Sequence, residues 1–369
     1  MMQQYTIFLI EKLLQDKVAK IDISIKDYEN YLEILNILNT HYTEYNIYPQ
    51  GSLRTGSIIK NMHDESEVYD IDIILQTKNP HKYNRKVNKY AKKLRIKTDP
   101  KKYNYYFNNV NVEEKKPCWN IKIGNISIDV TPAILDKESA KIAHDEYSIV
   151  ITRTEDFTSY EWKDSNPIGY YRWFKKNNNE LYDKALQNHN INSKKLKALI
   201  RTDLQKSIQI LKYLRNNFFK TREDKDYKPA SIVITTLVTT IYEHMNMKDK
   251  ENINMYYLID AFIEVSKIII EYRDIPINIK RLEKSKYIDT LNVLLSSENE
   301  WQLLNPADKE ENFMDRWNEV KDGKKREKAF FDWINYLDKH FYDYNKLYRE
   351  LNHNLKEIYV KKEKPYGFR

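Results

Sequence analysis

The stretch from Tyr48 to Leu75, YPQGSLRTGSIIKNMHDESEVYDIDIIL, constrains the fold more than any other part of the chain. It reads as a strand over 45–50, a Gly-Ser turn, a short helix over 53–60, a polar loop over 61–68 and a second strand. The second strand carries Asp70 and Asp72 with Ile71 between them. Side chains alternate along a strand, so these two carboxylates share one face, about 7 Å apart. Ile71, Ile73, Ile74 and Leu75 argue that the other face is buried. Two acids on so apolar a strand are costly unless something cationic satisfies them. A pair of divalent metal ions suits them, because hard cations take oxygen ligands. The turn fits the same chemistry. The chain has only 6 Gly, and two of them, Gly51 and Gly56, lie here. Gly51 lets backbone approach a ligand closely, and Ser52 adds a hydroxyl donor. A Gly-Ser turn that opens a helix offers amides to a phosphate.

A third carboxylate is expected on a neighbouring strand, and Asp129 in NISIDVTPAIL supplies it. Ile126, Ile128 and Val130 share one face of that strand, with Ser127, Asp129 and Thr131 on the other. Gly124-Asn125 reads as a tight turn between WNIKI and ISIDV, so Asp129 lies on the second arm of a hairpin. That arm is expected beside the Asp70–Asp72 strand. Three convergent acids can bind two metals about 3.5–4 Å apart, activating an attacking hydroxyl and stabilising a leaving pyrophosphate. A phosphate-binding turn with such acids is the apparatus of metal-dependent nucleotidyl transfer.

The order GS, DxD, third Asp resembles the DNA polymerase β-like nucleotidyltransferase superfamily. Within it, the chain is similar to the bacterial relatives of cyclic GMP–AMP synthase, the CD-NTases with a SMODS-type domain that serve CBASS anti-phage systems. The matching segments are QGS at Gln50 to Ser52, DID at Asp70 to Asp72 and IDVTPA at Ile128 to Ala133. WKDSNPIGYYRWF at Trp162 to Phe174, ILKYLR at Ile210 to Arg215, KPASIVITT at Lys228 to Thr236 and NPADKEENFMDRW at Asn305 to Trp317 extend the match, which covers about 45–320. The resemblance implies an α+β fold. A mixed-sheet nucleotidyltransferase lobe over 1–160 precedes a helical lobe over 161–369, with the active site in the cleft between them. It implies an enzyme that joins nucleoside triphosphates, ATP and another, with two Mg²⁺ (or Mn²⁺). Its product is a cyclic di- or trinucleotide, a second messenger sensed by a separate effector, and partner proteins or nucleic acid are candidate regulators.

The resemblance also assigns residues. Asp70, Asp72 and Asp129 are the catalytic metal ligands, with Asp129 helping to deprotonate the attacking hydroxyl. Gly51 and Ser52 hold the triphosphate, and Gln50 matches the family pattern as a substrate-binding residue or one that only orients the turn. Lys212 and Ser231 contact the nucleotide triphosphate. Animal relatives place an aromatic after this Ser to stack on the base; here Ile232 follows, so stacking must come from elsewhere. Trp162, Asn166, Pro167, Trp173, Phe174, Asn305, Asn312, Phe313 and Trp317 read as packing and capping residues. Two other readings fit the residues: a transferase that adds nucleotides to RNA, a protein or a small molecule, and a catalytically silent nucleotide- or nucleic-acid-binding regulator.

The rest of the chain bounds these readings. The formal charge of +8 suits polyanionic ligands but also fits a merely soluble surface. The single Cys118 excludes an intrachain disulfide and reads as a small core residue. No apolar run suits a membrane helix and the first residues do not suit a signal peptide, so a cytoplasmic protein without membrane contact is expected. Helices are expected over 3–19, with Phe8, Leu9, Leu13 and Leu14 on one side, and from Asp22 or Ser24 to His41, with Tyr28, Leu32, Leu35 and Leu38 at helical spacing. The basic segment 81–97 is either a nucleic-acid face or a solvated helix packed through Val87, Ala91 and Leu94. Tyr147 to Thr152 reads as the last strand of the sheet. Helices are then expected near 168–178, 193–221, 229–246, 252–272, 286–297, 310–321 and 326–358, with Pro306 as a helix-start signal. His63, Asp64, Glu65 and Glu67 read as loop surface, and the basic tail ending Gly367-Phe368-Arg369 as extended.

Overall fold

The computed structural model describes residues 2–60, 69–103, 110–123, 126–136, 147–188, 199–245, 247–271 and 300–352. The 61–68 loop with His63, the Gly124-Asn125 turn, the 286–297 helix and the basic tail lie outside the described residues. The chain divides into two compact units, each made of more than one segment. Asp22–Gln205 and Gln302–Met314 form a sheet unit; Met1–Ile21, Lys206–Trp301 and Asp315–Arg369 form a helical unit. The fold class is α+β with a mixed sheet. Among the described residues no helix is long and apolar enough to cross a membrane.

The sheet unit is built on β2 (Tyr69–Thr77) and β5 (Ile126–Leu135), which pair in parallel. β1 (Tyr45–Pro49) runs antiparallel on the outer side of β2. The other side of β5 takes β4 (Trp119–Ile123) along its first half and β6 (Ile149–Arg153) along its end. β3 (Asn111–Glu114) extends the sheet beyond β4, and β7 (Glu161–Ser165) beyond β6. Thus β6 is not the last strand. Glu161 to Ser165 is polar and lies on the sheet edge, so it lacks the apolar alternation that marks a strand in sequence.

One sheet face is closed by α2 (Ile25–His41), whose N-cap Ser24 accepts a hydrogen bond from the Asp27 amide at 3.1 Å. Tyr31, Ile34 and Leu38 of α2 are its buried residues and share a core with Ile71, Ile73, Leu75, Ile128 and Val130 of the sheet. Tyr28, Leu32 and Leu35, expected on the buried stripe, flank it and are only partly covered. α4 (Lys89–Lys97) contributes Ala91, Leu94 and Arg95. Arg95 is therefore not part of a basic surface. It is fully buried and donates to the Thr152 hydroxyl at 3.0 Å and to the carbonyls of Thr152 and Lys116, each at 2.9 Å, and Lys115 at 3.3 Å.

The sheet unit also includes a small hairpin, β8 (Leu304–Asn305) with β9 (Asp308–Asn312), where a helix was expected. Pro306 sits in its turn. Asn305 and Asn312 close the hairpin through their side chains. Asn305 Oδ1 accepts from the Ala307 amide, and Asn312 Oδ1 from the amides of Leu303 and Met314. Asn166, buried, accepts from the Gly169 amide at the start of α5 (Pro167–Asn188) and donates to the Ala307 carbonyl.

In the helical unit, α1 (Met2–Ile21) buries Ile10, Leu13, Leu14, Val18 and Ile21, whereas Phe8 is 62% exposed. Leu13 and Leu14 thus lie inside as expected, whereas Phe8 does not. α6 (Asp203–Phe219) carries the central run, and α7 (Ser231–His244) packs on α9 (Met255–Glu271), with α8 (Met247–Glu251) between them in the chain. α9 in turn meets α10 (Gly323–His340), where Phe262 and Phe330 flank Trp333.

Glu311 of the β8–β9 hairpin gives a handle on stability. Burial of its carboxyl pushes its pKa up to about 7, against the bond donated by Asn305 and with help from the Asp308 charge. Folding therefore favours the protonated form. That contribution is complete below the ordinary carboxyl value of 4.5 and is lost as pH rises through about 7. Glu311→Gln should leave stability near pH 4 almost unchanged and raise it by about 1–3 kcal/mol at pH 8.5, as read by urea unfolding at the two pH values.

Candidate active site

Alternation along β2 sets the site's first two groups. Tyr69, Ile71 and Ile73 point into the core, while Asp70 is exposed and Asp72 half-exposed on the other face. Further along that face the strand turns apolar, and Ile74 packs with Ala133 and Ile149. In the parallel β2–β5 ladder Asp72 stands directly opposite Asp129, and Asp70 opposite Ser127. The three acids and Ser127 therefore share one face at one end of the central strand pair, and the hairpin arm that carries Asp129 lies where it was expected.

The turn before β2 is fitted to Asp72. Gln50, at the N-cap of the single-turn helix α3 (Gly51–Arg54), donates its backbone amide to the Asp72 carbonyl at 2.9 Å. Gly51 follows with φ of +60°, and a Cβ placed on it would lie 2.5 Å from Asp72 Oδ2. Its identity is therefore dictated by the carboxylate as well as by the backbone. Ser52 accepts at its carbonyl from the Ser57 amide at 2.9 Å, which closes the turn. The short helix is one turn long, not the 53–60 span expected. Gly56, at φ +66°, stands where a Cβ would meet the Gln205 amide that caps the Thr55 carbonyl.

Asp129 is surrounded by donors. Asn120, its cross-strand partner on β4, donates Nδ2 to Asp129 Oδ1 at 2.6 Å and to Ser127 Oγ at 2.7 Å. Asn120 is fully buried, and its own Oδ1 meets no donor, so the amide is committed to the carboxylate side. Lys115 Nζ stands 3.2 Å from the same Asp129 oxygen. Partial burial works against the Lys115 charge, but the Asp129 and Asp70 carboxylates outweigh it and hold its pKa above the ordinary range. Cys118 is buried beside them, and burial first, then Asp129, pushes its thiol well up, which leaves it a neutral core group. Asn120 and Lys115 were missed in sequence, because Asn120 is named only by the β4–β5 register and Lys115 only by the turn that joins β3 to β4.

Among the described residues no three His, Cys, Asp or Glu side chains already form a cage for an ion. The donor set nevertheless suits hard cations. Its ligands are carboxylate oxygens, one of them already drawing an ammonium, and Gly51 puts no Cβ against Asp72 Oδ2.

Lys212 and Ser231 belong to the helical unit, and within it they come with an unforeseen companion. Lys212 lies buried on α6, and Arg215 follows three residues later, on the same side of the helix. Arg215 donates to the Pro229 carbonyl at 2.7 Å and to Ser231 Oγ at 3.2 Å, with Asn216 taking its remaining donors. Ser231 opens the 14-residue α7. Burial pulls the Arg215 pKa down to about 10, so the group stays charged at neutral pH. Its spacing from Lys212 was the available signal in ILKYLR.

No family model matches the chain, and no curated protein does. Solved structures do. The chain is similar to CdnG, a CD-NTase of Bradyrhizobium diazoefficiens solved with GTP, at a TM-score of 0.62 and 15% identity, over 95% of this chain and 99% of that one. It is similar to CdnC of E. coli MS115-1, solved with ATP, at a TM-score of 0.54 and 12% identity, over 95% and 97%. It is similar to DncV, the cyclic AMP-GMP synthase of Vibrio cholerae in complex with a linear intermediate, at a TM-score of 0.51 and 11% identity, over 96% and 87%. The identities are low and the coverage is nearly complete, so what is shared is the architecture: the chain has the CD-NTase fold.

Proposed function

We propose that this protein is a CD-NTase that joins nucleoside triphosphates into a cyclic oligonucleotide and releases pyrophosphate. The observation that carries the proposal is the pairing of Asp72 with Asp129 across parallel strands, with Asp70 on the same face and Gly51 against Asp72. In this reading the Gly51-Ser52 turn binds the triphosphate, Lys212 and Ser231 contact it from the helical unit, and Arg215 holds the Ser231 hydroxyl. A 3′- or 2′-hydroxyl of one nucleotide attacks the α-phosphorus of the next. The new P–O bond forms as the bond to pyrophosphate breaks, and Asp129 accepts the hydroxyl proton. Asp70, Asp72 and Asp129 would hold two Mg²⁺, or Mn²⁺, which supply charge neutralisation at the reacting phosphate. Positioning and electrostatics carry most of such a phosphoryl transfer. The cyclic product serves as a second messenger for a separate effector in anti-phage defence, with partner proteins as candidate regulators.

Three measurements test this reading. The protein is incubated with all four triphosphates and Mg²⁺ or Mn²⁺, treated with phosphatase and analysed by mass spectrometry. A phosphatase-resistant product of cyclic mass is expected, absent from an Asp70→Ala, Asp72→Ala variant that stays folded. Linear products, or products only with an added RNA, protein or small-molecule acceptor, would overturn the cyclic assignment. Gly51→Ala should cost about 1–2 kcal/mol of stability through its left-handed backbone and cut kcat by about a hundredfold or more, because displaced acids misplace the reacting groups. Asn120→Ala should lower kcat about 10- to 100-fold with little change in nucleotide KM, since the amide orients Asp129 without touching nucleotide.

A further inference from the structure

The cation on Asp129 is part of the protein. Lys115 Nζ lies 3.2 Å from Asp129 Oδ1, and the two side chains are 39% and 18% exposed. The backbone beneath this lysine is fixed on both sides. Its amide donates to the Cys118 carbonyl at 2.9 Å, and its carbonyl accepts from Arg95 at 3.3 Å. The next carbonyl, of Lys116, accepts from Arg95 and from the Thr154 amide, each at 2.9 Å. Arg95 itself is fully buried, so the chain at 115–116 is anchored in the core. The lysine's four-carbon stem is flexible and its ammonium can leave while the backbone stays in place. An ammonium and a divalent ion cannot share one carboxylate oxygen without close like-charge repulsion.

We propose that Lys115 is a resident counter-cation of the acid cluster. Its ammonium occupies the charge position on Asp129 that a divalent ion needs, and it must swing away before the third carboxylate can bind one. A polyphosphate is the anion that draws it off, which couples loading of the Asp129 site to the arrival of nucleotide. The inference rests on the two-metal reading of Asp70, Asp72 and Asp129. A half-exposed pair of this kind is weak, so the ammonium lowers the ion's affinity and does not exclude it.

The test is Mn²⁺ titration of the full chain without nucleotide, followed by electron paramagnetic resonance of free Mn²⁺. The variants are Lys115→Met, which keeps the stem, and Lys115→Gln, each alone and with Asp129→Asn; melting curves select the folded ones. Each lysine variant should bind Mn²⁺ about two- to fivefold more tightly than the natural protein. The gain should vanish in the Asp129→Asn background. Adding a non-hydrolysable ATP analogue should narrow the difference between natural and variant proteins. Equal or weaker Mn²⁺ binding in both lysine variants would overturn the counter-cation role and leave the two-metal reading intact. No Mn²⁺ binding by any protein, with or without the analogue, would overturn the two-metal reading and this inference with it.

Discussion

The parallel pairing of β2 with β5 is the constraint on which the site depends. Parallel strands cannot be joined by a tight turn, so the chain must leave β2 and return through β3 and β4 before β5 can lie beside it. The return is held in register by the core. Ile71, Ile73, Ile128 and Val130 are almost wholly excluded from water on the face covered by α2. A slip of one residue would bring Asp72 opposite Ile128 or Val130 and turn a carboxylate into that core. The hydrophobic face thus fixes the geometry of the acidic one.

Around that pair, support runs outward in steps. Asn120 holds Asp129 and Ser127 together across the β4–β5 ladder, and the Gly51 backbone lies against Asp72. Beyond them, Arg95 ties α4 to β6 and to the 115–116 segment that presents Lys115. A guanidinium buried in this way is costly unless its donors are used, and here they are spent on three carbonyls and a hydroxyl. Each support is a single polar group in an apolar setting, which is why one substitution can disturb the acids without unfolding the sheet.

Strong local signals made the heart of this arrangement legible in sequence. The alternation of Asp70, Ile71, Asp72 and Ile73 leaves one choice of inward face, and the hairpin before Asp129 sets its neighbour. What was not legible depends on partners distant in the chain. β7 is a polar edge strand whose only signature is its pairing with β6. The β8–β9 hairpin contains DKEEN, whose central Lys and two Glu favour a helix, and its Asn305 and Asn312 side chains close on nearby amides instead. Arg95 looks like one more cation in a basic segment until the three carbonyls it reaches are known. Discontinuous packing is equally hidden: α1 joins residues that begin some 185 positions later, and no composition break announces it.

The helical unit poses the complementary electrostatic problem. Lys17 and Arg215 are both buried, and among the described residues neither forms an ion pair with a carboxylate. Lys17 rests over the Tyr213 ring at 3.8 Å, and burial, with Lys20 adding to it, lowers its pKa to about 8. Apolar residues of the same volume would be cheaper to bury than such charges. Desolvated cations of this kind bind an incoming anion more strongly than exposed ones, because the water that would compete has already been removed. Arg215 directs this toward Ser231 at the start of α7, where the helix dipole also favours negative charge. The triphosphate assignment of Lys212 and Ser231 therefore gains a physical reason that neither residue supplies by itself: the helix carrying Lys212 already holds a buried positive charge against the Ser231 hydroxyl.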